Sequence, residues 1–235
     1  MNSQPRIVEV RKNILKQNDV IARRLRERFQ HEGIFVMSLV SSPGSGKTLF
    51  LEKLMSVLRH KYRVAALVGD LATENDALRL ARSGAPVKQI TTGTLCHLEA
   101  SMVEQALNGW DVGPLDVLFV ENVGNLVCPS SYDLGEKLRV VLMSVTEGED
   151  KPLKYPTIFN GADLAVITKV DLAAAAEFDS LSLERNLRLV RPDIRIFYVS
   201  AKNGDAMDSC VDFLEAQIRT LRAPLHAERQ IQAVT

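Results

Sequence analysis

Cys96, His97 and Cys128 are the residues of this chain best suited to hold a soft divalent metal, because such ions prefer thiolate and imidazole ligands. Cys96 and His97 are adjacent, and Cys128 follows 32 residues later, which is not a zinc-finger spacing. Core packing is the competing reading, since free cysteine is among the most buried residue types. Two features argue against it: TTGTLCH follows a Gly/Thr loop at the start of a helix, and NLVCPS reads as a loop. Three side chains leave a tetrahedral ion one ligand short, which favours a second subunit completing the site at a two-fold interface. Cys210 falls in a helical stretch and reads as core, while His31, His60 and His226 have no neighbouring ligands.

The second chemical feature is SSPGSGKT at 41–48, placed between an apolar run and a helical pattern. In that context Pro43, Gly44, Ser45 and Gly46 form a loop whose backbone N–H groups turn toward phosphate oxygens. Lys47 reaches the β- and γ-phosphates, and Thr48 is the expected Mg²⁺ ligand. Ser41 stands where the first glycine of the motif is usual. Asp70 and Glu121 each end a strand candidate, where ligands bind in open parallel sheets, and so complete the Mg²⁺ set. Glu121-Asn122-Val123-Gly124 has the spacing of a DxxG switch with glutamate in the first place. Asp76 is the candidate to orient or deprotonate the attacking water, with a helix-start acid as the alternative. No arginine finger is evident in cis, so hydrolysis is expected to be slow.

Thr168-Lys169-Val170-Asp171 matches [NT]KxD after a strand. A carboxylate at Asp171 accepts from guanine N1–H and its exocyclic amine, donors that adenine lacks there. The Lys169 stem covers the base, and Ser200-Ala201-Lys202 matches the SAK loop that meets guanine O6. In this order after the phosphate loop, the two motifs specify GTP.

These residues need strand ends to present them. Apolar runs at 35–41, 62–69, 87–90, 115–121, 138–145, 163–169 and 194–200 alternate with helical patterns near 47–60, 74–83, 97–108, 180–191 and 204–221. Such alternation implies an α/β fold, a P-loop NTPase with a mostly parallel sheet flanked by helices on both faces. An N-terminal amphipathic helix precedes it, with Ile7, Val10, Ile14, Ile21, Leu25 and Phe29 on one stripe. Eight basic side chains lie within 6–28; they read as a solvated face or, more sharply, as a docking surface for a partner. The expected organisation is a helix over 1–30, a GTPase domain over 31–222 and a loose tail over 223–235.

Lysine plus arginine equals aspartate plus glutamate, 29 each, which gives no global argument for nucleic-acid or membrane binding. No apolar run approaches the roughly 18 residues of a membrane span, and no signal-peptide pattern is seen. An odd cysteine count of three, without a disulfide framework, points to a reducing cytoplasm where thiols stay free for metal.

From about residue 8 to 220 the chain resembles the HypB family, SIMIBI-class GTPases that help insert nickel into [NiFe] hydrogenase. The resemblance is carried by SSPGSGKT, GDLATENDA (69–77), TTGTLCHLEA (91–100), ENVGNLVCPSSYDLGE (121–136), SVTEGEDKPLKYP (144–156) and TKVDL (168–172). It implies a GTPase that dimerises when nucleotide is bound and carries Ni²⁺ or Zn²⁺ at the interface on Cys96, His97 and Cys128. It further implies a HypA-type metallochaperone and a hydrogenase large-subunit precursor as partners. Where some relatives have a further histidine, this chain has Ser101, and the cysteine-rich and histidine-rich segments of some members have no counterpart. Lys151, in EGEDKP, is a candidate to act across the dimer. Two rivals remain: a nickel GTPase serving urease, whose family carries a Cys-Pro-His arrangement absent here, and a metal-blind GTPase or kinase with structural cysteines.

Overall fold

The computed structural model describes residues 5–71 and 75–232, with side chains described for 13–71 and 75–223. Seven strands form one sheet: β1 Phe35–Ser41, β2 Val64–Asp70, β3 Val87–Thr91, β4 Val117–Glu121, β5 Leu138–Ser144, β6 Leu164–Thr168 and β7 Arg195–Tyr198. Their order is β3-β2-β4-β1-β5-β6-β7, and every pairing is parallel. The helices are α1 Pro5–Glu32, α2 Lys47–Leu58, α3 Asn75–Ala81, α4 Ala100–Leu107, α5 Lys151–Lys154, α6 Pro156–Asn160, α7 Ser180–Val190 and α8 Met207–Gln232.

The inner strands β1, β4, β5 and β6 are largely apolar because both faces are covered, whereas the edge strands β3 and β7 carry Lys88, Gln89 and Arg195 and are only partly buried. Phe35, Met37 and Leu39 of β1 point to the face held by α2 and α8, packing with Leu51, Leu54, Leu214 and Ile218. The alternate residue Val36 faces α1 and α4 with Leu25, Phe29 and Val103. Val40 lies under α6 and α7, with Phe159 and Leu183. This two-residue periodicity fixes the register, since a one-residue slip would turn every side chain to the wrong face.

The expected amphipathic helix is present as α1, and its carboxyl half docks with Ala22, Leu25 and Phe29 buried. Ile14 stays 42% exposed, so the stripe is buried only toward its end; the side chains of Ile7 and Val10 lie outside the described residues. Gly33, at φ 70°, closes the helix, and the Ile34 N–H returns to the Phe29 carbonyl at 2.8 Å. Gly135 permits the docking: a Cβ there would stand 2.8 Å from the Ala22 carbonyl oxygen. The backbone of α8 continues to Gln232, past the boundary expected at 222. No described helix is long and apolar enough to cross a membrane.

Candidate nucleotide and metal site

The motifs meet at the carboxyl ends of β1, β2, β4 and β6. Between β1 and α2 the phosphate loop turns through Gly44 and Gly46, at φ 76° and 90°, a region glycine enters without strain. The loop borders a cavity of about 500 Å³ that also takes in Asp70, Asp76, Arg79 and Gly124. The Ser45 hydroxyl is buried in that loop with no hydrogen-bond partner, which suits an arriving phosphate oxygen. A larger cavity of about 670 Å³ opens at the opposite ends of the strands, between Phe29, Trp110 and Arg222, and holds none of the motif residues.

Beside the loop, the Lys47 ammonium lies 2.6 Å from Glu121 Oε1, and the Thr48 hydroxyl donates to the same oxygen at 2.7 Å. Glu121 is fully buried, and its Oε2 has no partner. A buried carboxylate oxygen without a donor is costly unless a cation or donor meets it. The donor set of Thr48, Glu121 and Asp70 therefore fits Mg²⁺, a hard cation that takes oxygen ligands.

At the base end, the Thr168 hydroxyl donates to the Ser45 carbonyl, and Lys169 Nζ donates to the Gly44 carbonyl at 2.7 Å. Threonine at the first motif position thus performs a structural task, tying β6 to the phosphate loop. Ser200 donates to Asp171 Oδ1 at 2.6 Å and so aims the carboxylate that would read the base. Ala201 is buried, and Lys202 is exposed.

Cys96, His97 and Cys128 do converge: their ligand atoms lie within 4.8 Å of one another. Cys96 and Cys128 are paired as a disulfide, with Cα atoms 6.3 Å apart. This corrects the expectation of free thiols at these positions. The physical reason is proximity, because two sulfurs close enough to share one ion are close enough to bond when oxidised. Cys210 is the free cysteine. Ligation requires the reduced pair, since the thiolate is the metal ligand. His97 fits the same role. It is buried, its Nε2 has no hydrogen-bond partner, and Glu99 is 3.5 Å away. Its ring lies 4.0 Å from that of Tyr132. Burial pushes the imidazole below its usual range, with Glu99 opposing, which favours the neutral, ligating form.

The expected helix start at 97 is also corrected. Helix α4 begins at Ala100, and Glu99 is extended at φ −112°, ψ 155°. Competing acceptors hold the preceding chain: Asn122 Oδ1 takes the Leu98 N–H at 3.0 Å, and Asn18 Oδ1 takes the Ala100 N–H at 2.8 Å. The Cys-His pair is therefore in a loop. Ser101 sits in the first turn of α4.

Several participants carry no strong motif signal. Arg79 lines the phosphate cavity three residues beyond Asp76, a spacing that shares a helix face. Asn122, Asn125 and Tyr132 buttress the cluster, and the asparagines inside ENVGN were the available signal. Five exposed apolar residues also follow the carboxyl ends of strands around this site: Leu71, Leu78, Leu95, Val127 and Leu172, with Val127 63% exposed.

The sheet order and phosphate loop define a nucleotide-binding domain of the P-loop class. The profile of the CobW/HypB/UreG nucleotide-binding domain matches residues 35–198, and the chain belongs to this family, within its HypB branch. It is 46% identical over 237 residues to the hydrogenase maturation factor HypB of Azotobacter chroococcum mcd 1, covering 99% of this chain and 77% of that protein. It is 43% identical to the hydrogenase/urease maturation factor HypB of Helicobacter pylori (strain ATCC 700392 / 26695), covering 91% and 89%. The crystal structure of HypB from Helicobacter pylori in complex with nickel superimposes with a TM-score of 0.82 at 41% identity, covering 87% of this chain and 96% of that one.

Proposed function

We propose that this chain is a GTP-hydrolysing nickel metallochaperone for hydrogenase maturation, in which nucleotide state gates a metal site shared by two copies. One observation carries the reading. Residues 121–128 begin at the carboxylate bonded to Lys47 and end at Cys128 in the thiol–imidazole cluster. A single short segment thus belongs to both sites.

Lys47 leaves Glu121 for the β- and γ-phosphates, and the freed carboxylate, Thr48 and Asp70 are the groups that would hold Mg²⁺. When bound, that cation would neutralise part of the phosphate charge. Asp76 orients a water whose oxygen bonds to the γ-phosphorus as the bond to the β–γ bridging oxygen breaks, giving GDP and phosphate. Asp171, aimed by Ser200, selects guanine, with Lys169 and Lys202 flanking the base. Loss of the γ-phosphate contacts then releases the 121–128 segment and opens Cys96, His97 and Cys128 with their dimer mates. Ni²⁺ is the cargo, and the same ligand set accepts Zn²⁺. The exposed Leu71, Leu78, Leu95, Val127 and Leu172 support a homodimer formed over this face. A HypA-type metallochaperone and the hydrogenase large-subunit precursor are the proposed partners, in the cytoplasm. The hydrogenase/urease name of the Helicobacter pylori relative favours a second reading, delivery to urease as well.

Two measurements test this together: GTP against ATP affinity, and assembly mass with each nucleotide. GTP binding at least about 100-fold tighter than ATP, with a doubled mass in a non-hydrolysable GTP analogue, is expected. Equal affinity for ATP, or an unchanged mass, sinks the reading.

A further inference from the structure

We propose that Asn125, backed by Asn122, is the positioning residue that transmits nucleotide state to the metal cluster. The inference rests on the nickel-switch reading above and names the device that couples its two halves. Gly124 is seated on the phosphate loop: a Cβ there would stand 3.2 Å from Pro43 Cα. The next residue, Asn125, spans both cysteine segments. Its Nδ2 donates to the Cys96 carbonyl at 3.3 Å, and its Oδ1 accepts the Val127 N–H at 2.8 Å. One planar amide therefore sets the spacing between the backbone at Cys96 and the backbone beside Cys128.

Asn122 makes the link rigid. It is buried, and its Oδ1 accepts from both Leu98 N–H at 3.0 Å and Val123 N–H at 2.9 Å. Leu98 is fixed from the other side by close packing on Gly69, where a Cβ would come within 2.7 Å of its side chain. The Cys96–Leu98 segment is thereby anchored to β2 while Asn125 joins it to the loop that follows β4. A displacement of Gly124 cannot leave the Cys96–Cys128 spacing unchanged unless the Asn125 amide lets go of one side. Two discrete arrangements of one hydrogen-bonded loop are what coupling between neighbouring sites requires.

The test uses the full, reduced chain and titrates Ni²⁺ against a competing chelator, with GDP and with a non-hydrolysable GTP analogue. The quantity read is the ratio of nickel Kd values in the two states. In Asn125→Ala the ratio falls to within about two-fold of one while nucleotide affinity stays within about two-fold of wild type. Asn125→Asp behaves the same way, because its carboxylate still accepts from Val127 but cannot donate to the Cys96 carbonyl. Ser130→Ala removes another hydrogen bond of the same segment, to the Val127 carbonyl at 2.7 Å, and keeps the wild-type ratio. A wild-type ratio in Asn125→Ala overturns the inference alone. So does an equal fall in Ser130→Ala, or loss of nucleotide binding in both Asn125 variants. A wild-type protein with no ratio overturns the nickel-switch reading, and this inference with it.

Discussion

Lys47 and Glu121 form a buried ion pair 2.6 Å long, made by the lysine expected to touch phosphate and the carboxylate expected to face Mg²⁺. Each keeps the other's charge compensated inside the fold, where an unpaired ion would be expensive. The two groups are thus stored together and separated by the anion and the cation they serve.

Removing either partner should therefore harm the nucleotide-free fold as well as the chemistry. Lys47→Ala and Glu121→Ala are each expected to lower unfolding free energy by about 3–5 kcal/mol in urea titrations, since the survivor is left buried and unpaired. The double variant Lys47→Met/Glu121→Leu should lose less than the sum of the single changes, and hydrolysis should be abolished in all three. Additive losses would show that the pair is not coupled.

Base selection should invert at Asp171. Asp171→Asn is expected to weaken GTP at least about 100-fold, or about 2.7 kcal/mol, and to accept xanthosine triphosphate, whose C2 carbonyl can take a bond from the amide. Ser200→Ala, which removes the 2.6 Å hydroxyl contact to the carboxylate, should cost about 0.5–1.5 kcal/mol. Competition binding with the two triphosphates checks both.

Thiol reactivity should divide the cysteines. Burial pushes the Cys210 thiol up to about 12, so at pH 8 its thiolate fraction is on the order of 10⁻⁴. Reduced native protein should take up iodoacetamide at Cys96 and Cys128 only, oxidised protein at neither, and urea-unfolded reduced protein at all three. Peptide mass mapping reads the result; rapid labelling of Cys210 in the native state would contradict its placement.

Acid stability should depend on Asp116, just before β4. Burial pushes its carboxyl up, but hydrogen bonds from Arg63 and Arg222 outweigh that and hold it well below the usual carboxylate range. A depressed folded-state pKa contributes stability that is present above the unfolded value, about 3.9, and is lost as pH falls through the folded one. Asp116→Asn should thus lose about 1–2 kcal/mol at pH 7, discounted because Arg63 is half exposed. The gap to wild type should shrink below about pH 4; a gap independent of pH would rule out the ionic account.

Much of this was legible because strong local signals agreed with the tertiary structure. Strand β1 matched its expected bounds since FVMSLVS is apolar and ends at an unmistakable loop. Helix α4 starts later than its sequence pattern suggests because side chains distant in sequence, Asn18 and Asn122, capture the N–H groups of Ala100 and Leu98. Short helices at 151–154 and 156–160 carry proline in the first turn, which reads as a breaker when helix length is unknown. The cluster residues could be named from their chemistry. Their approach to within 4.8 Å, the disulfide and the Asn125 link depend on how two loops fold together, which no local pattern encodes.

Nickel titration of reduced wild type and Cys128→Ala, each with GDP and with a non-hydrolysable GTP analogue, tests the central claim most directly. Wild-type affinity is expected to change with nucleotide, and Cys128→Ala to bind at least about ten-fold more weakly, with no nucleotide dependence. If the two proteins bind nickel alike in both nucleotide states, the claim that the switch gates a Cys96–His97–Cys128 site is wrong.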